Sequence, residues 1–394
     1  MKYSGLFWEK NKPYAKIDCS FEVSNGGEVK LVSSMPFSED DSIVEPNIYS
    51  EINLGSYLSM LNPFYRKKTQ RNECTLQADI AFIGSRTIKQ KNELKITTFQ
   101  CELRNTIGFF YERRSFESQS YLTPYKKNLV FKSKQGWSSE LSFTRDGKCS
   151  LEISSASSEA LSFFQNISHK ICTFISFSLG DVVYADNVKV VDLNKNSFEV
   201  YYKPSFYPRK ENRKERALFL YCQNLDDSFI KWCELCDTSE EILRLYYLPM
   251  LTELDQTTHF ILRAQFLEAF HRKATKNNKI TFQKRVLSMF KNCEYMRYIP
   301  RQKNIHIELR ELARQITHAR NYYTHYNENE KFKKPKSNDL IFLNMKMDLI
   351  SNLFVMDYLG FKVEQFYDIS HIVISDLYNR KQIMEQYTKN GKET

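Results

Sequence analysis

The chain has 394 residues, 42% hydrophobic and 14% aromatic, and 57 Lys+Arg against 47 Asp+Glu leave a formal charge of +10. That length exceeds one typical core and predicts two domains, while the apolar content excludes a disordered or fibrous chain. The positive balance admits a polyanionic partner, RNA above all, without demanding one.

The opening stretch MKYSGLFWEKNKPYAKIDC has no apolar run of signal-peptide length, and the greasiest stretch, ALSFFQNISHKICTFISFSLG, is broken by Gln, Asn, His and Lys. A cytoplasmic protein without a membrane segment is expected. Nine scattered cysteines, mostly in apolar surroundings, predict reduced and buried thiols rather than a disulfide framework. Up to about residue 205, runs such as GEVKLVSS, CTLQADIAFIG, LKITTFQCEL, IGFFYERR and VKVVDLNKNSFEVYYK alternate near period two, with SNGG and RDGK as turn signals. From Ser157 to about Leu179, Leu161, Phe164, Ile167, Ile171 and Phe174/Ile175 recur at three and four, which predicts one helix packed on the sheet. KPSFYPRKENRKER, residues 203 to 216, is the boundary signal. Beyond it the period is helical, with helices expected near 217–233, 238–254, 257–275, 279–292, 305–326, 339–359 and 374–390. The fold class is therefore α+β: a β-rich domain over 1–205 and an all-α bundle over 206–394.

On the expected helix at 305–326, Leu309, Leu312, Ile316, Ala319 and Tyr323 form an apolar stripe, and Arg314, His318, Asn321 and His325 fall on a second one. Arg320 precedes His325 by five residues, about 140° around the helix. The two meet only around a crevice, for instance where this helix packs against a copy of itself. Spacing of this kind belongs more often to a solvated histidine than to a catalyst.

The segment ARNYYTHYN resembles the Arg-x4-His signature of HEPN ribonucleases in the form Arg-Asn-x-x-x-His. Essentially the whole chain is similar in layout to ApeA-type anti-phage HEPN proteins. That layout is a β-rich domain opening with GLFWEK, a Trp-bearing helix (FIKWCELC), a helix with FLEAFHR, the signature helix and a long apolar helix. The resemblance implies an endoribonuclease with Arg320, Asn321 and His325 as catalytic residues at the interface of a homodimer or higher homo-oligomer. It also implies an N-terminal sensor or autoinhibitory domain, a phage protein as trigger, and RNA, such as tRNA or another structured host RNA, as substrate. The residue types suit that chemistry. RNA carries its own 2′-hydroxyl nucleophile, histidine titrates near neutrality, and arginine offers a permanent planar fork to phosphate oxygens, so no metal or cofactor is called for. The rival reading is a HEPN module that dimerises and binds nucleotide or RNA without cutting it.

Around this set, Glu268 matches an acidic position of the family and is a candidate support for the Arg/His pair, although an ion pair with Arg272 four residues on explains it as well. Residues 270–303 hold ten Lys/Arg against one acid, Glu294, so Arg272, Lys273, Lys276, Lys279, Lys284 and Arg285 are candidate RNA-backbone contacts. Lys333 and Lys334 in KFKKPK follow the signature helix and join them. His271 and His318 flank basic residues without occupying the signature position. Cys233 and Cys236 have ligand-like spacing but no second pair, and are expected to be buried thiols. The N-terminal domain shows no catalytic constellation.

Overall fold

The computed structural model describes all residues except 25–26, 38–46, 54, 69–73, 107–108, 110, 114–121, 125–127, 134–135, 145–146, 205–217, 220–224, 278, 294–308, 326–336 and 363–394. Within elements, the side chains of 53, 65–68, 111–113, 122–124, 325, 337 and 338 also lie outside the description. The chain forms two compact units, Met1–Ser176 with Asp181–Tyr207, and Phe177–Gly180 with Pro208–Thr394.

The first unit is built on β1 (Lys2–Glu9), β2 (Ile17–Val23), β3 (Val29–Ser33), β4 (Asn47–Asn53), β5 (Ser56–Lys68) and β6 (Cys74–Gly84). Strand β1 pairs with β2 and β4, β2 with β3, β3 with β6, β6 with β5, and β5 with β4, all antiparallel. The ring closes into a six-stranded barrel, which leaves no free edge among these strands. Alternation sets its inside: Phe7, Phe21, Leu31, Ile48, Leu58, Met60 and Leu76 are buried together. Gly27, in the SNGG turn, has φ +74°, and a Cβ there would lie 2.0 Å from the Tyr202 carbonyl oxygen. Only glycine fits that approach.

The remaining strands are β7 (Ile96–Arg104), β8 (Tyr111–Arg113), β9 (Leu122–Pro124), β10 (Asn128–Lys132), β11 (Trp137–Phe143), β12 (Cys149–Glu159), β13 (Tyr184–Asp192) and β14 (Ser197–Tyr202). They continue from the barrel: β14 pairs with the second half of β6, and the order runs outward as β13, β7, β12, β11, β10, while β8 pairs with β9 alone. Helix α1 (Leu161–Leu179) lies on this sheet. Phe164 stacks on Phe99 at 6.2 Å, and Phe174 meets Phe131 edge-on at 6.5 Å. The stripe expected of it, Leu161, Phe164, Ile167, Ile171, Phe174 and Ile175, is buried.

The second unit contains α2 (Asp226–Leu251), α3 (Gln256–Thr275), α4 (Phe282–Asn292), α5 (Leu309–His325) and α6 (Ser337–Leu359). The helices expected at 217–233 and 238–254 are one element, α2, broken by non-helical angles at Ser239 (φ −155°, ψ 37°). Lys273 Nζ donates to the Thr238 carbonyl beside the break at 3.2 Å. The expected helix at 374–390 and most of the boundary segment lie outside the described residues. Asp255 caps α3, accepting from the Thr257 and Thr258 amides at 2.9 and 3.1 Å, and Thr281 caps α4. Residues Leu349, Ile350, Ser351, Leu353, Phe354, Val355 and Met356 are all buried, so this stretch of α6 is enclosed nearly all the way round. Its Asp348 accepts from His259 Nε2 at 3.0 Å and Arg263 Nε at 2.5 Å. Arg263 in turn donates to the Tyr246 carbonyl at 2.7 Å and covers the Tyr246 ring, which ties α2, α3 and α6 together.

Among the described residues none of the eight cysteines is in a disulfide. Six are buried, and Cys233 and Cys236 are half-exposed rather than buried as expected. Burial pushes the Cys19 and Cys172 thiols up to about 12. No described helix is long and apolar enough to cross a membrane.

Candidate active site

Helix α5 buries Leu312, Ala313, Ile316, Ala319 and Tyr323, which is the expected stripe with Ala313 added and Leu309 only half-buried. Its neighbours are α3, where Phe260 approaches Tyr323 at 6.0 Å, and α4. On the flank of this contact sits Arg320, whose side chain is 28% exposed. Arg320 Nη2 donates to Glu268 Oε2 of α3 at 3.1 Å, and Nη1 donates to Asn321 Oδ1 at 3.4 Å. The guanidinium also lies over the Phe282 ring of α4, 5.3 Å from its centroid. Three elements thus hold one cation. Glu268 Oε1 accepts from Arg272 Nη2 at 2.6 Å, so this carboxylate makes both the local ion pair and the long-range one.

Asn321 is half-buried beside Arg320, and His325 is the last residue of α5, with its side chain outside the description. Arg314 is exposed and chelated by Glu311 at 2.7 Å through both Nε and Nη2, leaving it outside the group. Thr324 returns its hydroxyl to the Arg320 carbonyl at 2.7 Å, which steadies the last turn of the helix.

The basic segment divides. Arg272, Lys273, Lys276, Lys279 and Lys284 are exposed, with Lys273 engaged at Thr238. Arg285 corrects the expectation of a surface contact: it is fully buried. Its Nη1 donates to the Asn277 carbonyl at 2.6 Å and lies 3.3 Å from His271 Nδ1. The reason is its place on α4, where Phe282, Arg285, Val286, Met289 and Phe290 share the inward face at helical spacing. Burial, together with the charge of Arg285, lowers the pKa of His271 and favours its neutral ring. Lys333 and Lys334 lie outside the described residues.

The family model described as Apea-like HEPN matches residues 261–365, which take in most of α3 and all of α4, α5 and α6. HEPN domains are typically ribonucleases that act as dimers on RNA. A second model, ApeA N-terminal domain 1, matches residues 2–234, more than half of the chain. The chain belongs to the ApeA family of HEPN-type anti-phage defence proteins. No curated protein and no solved structure matches it.

Proposed function

We propose that this protein is a cytoplasmic endoribonuclease of anti-phage defence that cuts host or phage RNA on infection and arrests growth. The supporting observation is the tethering of Arg320 to Glu268, Asn321 and Phe282, which presets a permanent cation on the helix that ends in His325. With two copies of α5 paired, one His325 takes the 2′-hydroxyl proton and the 2′-oxygen attacks phosphorus. The bond to the 5′-oxygen breaks, and the second imidazole returns a proton to that oxygen. Arg320 neutralises the charge that builds on the phosphoryl oxygens, and Asn321 orients the imidazole or a phosphate oxygen. The exposed Arg272, Lys273, Lys276, Lys279 and Lys284 track the RNA backbone, with Lys333 and Lys334 adding to them. The N-terminal unit keeps the nuclease quiet until a phage protein engages it.

The test is RNA integrity in cells carrying the wild type or His325→Ala, with and without phage. Fragmentation confined to infected wild-type cells is expected. Protection from phage with intact RNA would instead favour a module that binds RNA or nucleotide without cleaving it.

A further inference from the structure

The buried pair His271 and Arg285 has no place in the chemistry above, and its hydrogen bonding is lopsided. Arg285 uses one nitrogen, Nη1, on Asn277 and His271. Among the described residues its Nε and Nη2 are buried with no hydrogen-bond partner, and so is His271 Nε2. Arginine only donates, so His271 Nδ1 accepts and the ring proton resides on Nε2. The result is three orphaned donors and no acceptor in a side-chain pair of which Arg285 is 0% and His271 4% exposed. Holding the α3–α4 turn through Asn277 requires the Nη1 edge alone. The Nε–Nη2 edge is the side of the guanidinium that pairs with two oxygens of a phosphate or carboxylate, and leaving that edge of a buried cation without hydrogen-bond acceptors is costly.

Position narrows the choice of anion. His271 lies about one helical turn beyond Glu268 on α3, and Arg285 about one turn beyond Phe282 on α4. These are the two residues between which Arg320 is held. The nearby carboxylate, Glu268, is already shared between Arg272 and Arg320. An incoming group must therefore bring its own negative charge, beside Arg272 and Arg320. We propose that the Nε–Nη2 edge of Arg285 and Nε2 of His271 form a buried pocket for an RNA backbone phosphate adjoining the one that is cut. The proposal rests on the ribonuclease reading for the identity of the polymer, but not for the existence of an anion pocket. The edge is closed to solvent in the free chain, so entry requires neighbouring side chains to shift.

The experiment uses the full chain and inorganic phosphate, with acetate at matched ionic strength as the comparison. Thermal unfolding is followed for wild type, Arg285→Lys, Arg285→Met and Arg320→Ala. Phosphate is expected to raise the wild-type midpoint more than acetate does, to do so also in Arg320→Ala, and to lose the effect in both Arg285 variants. Lysine keeps the charge without the fork and methionine removes the charge, so either variant that folds is informative. Arg285→Lys is further expected to raise KM for RNA about tenfold while kcat changes less than twofold. Equal stabilisation by acetate and phosphate, no phosphate effect in wild type, or an unchanged effect in Arg285→Lys would overturn the pocket. If wild type cuts no RNA yet its phosphate response still needs Arg285, the ribonuclease reading falls and the pocket stands. If Arg285→Lys cuts RNA with wild-type KM, the pocket falls and the ribonuclease stands.

Discussion

Glu268 divides its two oxygens between Arg272, one turn along its own helix, and Arg320, 52 residues further on. The first contact is legible in the sequence because positions four apart share a helix face. The second, and the Phe282 ring beneath Arg320, depend on how α3, α4 and α5 pack, and no local spacing encodes that. Glu268→Gln keeps the shape and weakens the charge-assisted contact with Arg320, so kcat should fall about tenfold with KM for RNA nearly unchanged. His325→Ala removes the proton-transfer group and should slow single-turnover cleavage by roughly 100- to 10,000-fold with RNA affinity intact, whereas Arg320→Ala should lower both rate and affinity. His325→Ala cutting as fast as wild type would make α5 a structural helix. Among the cations, Lys276, Lys279 and Lys284 are exposed, while Lys273 is anchored at Thr238. Neutralising those three should weaken binding to every RNA sequence and lower the salt slope by about one log unit for each phosphate left without its cation, with the saturated rate unchanged.

At the scale of elements, α6 is held to α3 through Asp348. Removal from water would raise the pKa of this carboxylate, but Arg263 and then His259 outweigh that and hold it at about 2. A carboxylate depressed in the folded chain stabilises it above the unfolded value near 4 and loses that contribution as pH falls from about 4 to about 2. The Asp348 carboxylate keeps some solvent access, so its share is about 1–2 kcal/mol. Asp348→Asn should be less stable at neutral pH and show a shallower loss between pH 4 and pH 2 in urea titrations; a parallel loss in both proteins would remove Asp348 from the acid response. The helices expected from the sequence at 157–179, 257–275, 279–292, 305–326 and 339–359 are found as α1, α3, α4, α5 and α6. The sequence places a gap at 234–237 between two helices, yet the chain is helical there and kinks only at Ser239. Strands β11 and β12, WSSELSF and CSLEISSASSE, are rich in serine, yet Trp137 and Leu141 in one and Cys149, Leu151 and Ile153 in the other keep period two and are buried. Reading charge before periodicity misplaces Arg285: counted from Phe282, it falls on the buried face of α4.

For the molecule as a whole, barrel closure is hidden in the sequence, because β1 meets β4 and β3 meets β6 across long intervals of chain. The division into a β-rich and a helical part is visible there because the period of the apolar residues changes from two to 3.6. The active species is expected to be at least a dimer, since Arg320 and His325 point about 140° apart on one helix. Mixing Arg320→Ala chains with His325→Ala chains should therefore restore part of the activity that each lacks alone, and an active enzyme that sediments strictly as a monomer would rule this out. In the proposed mechanism the substrate's own 2′-hydroxyl is the nucleophile, and Arg320 and His325 supply the rest. The direct measurement is the end chemistry of RNA fragments made by the activated protein in excess chelator. Fragments with 2′,3′-cyclic phosphate and 5′-hydroxyl ends, absent with His325→Ala, are the expected result; cleavage that stops with chelator, returns with magnesium and leaves 5′-phosphate ends would contradict it.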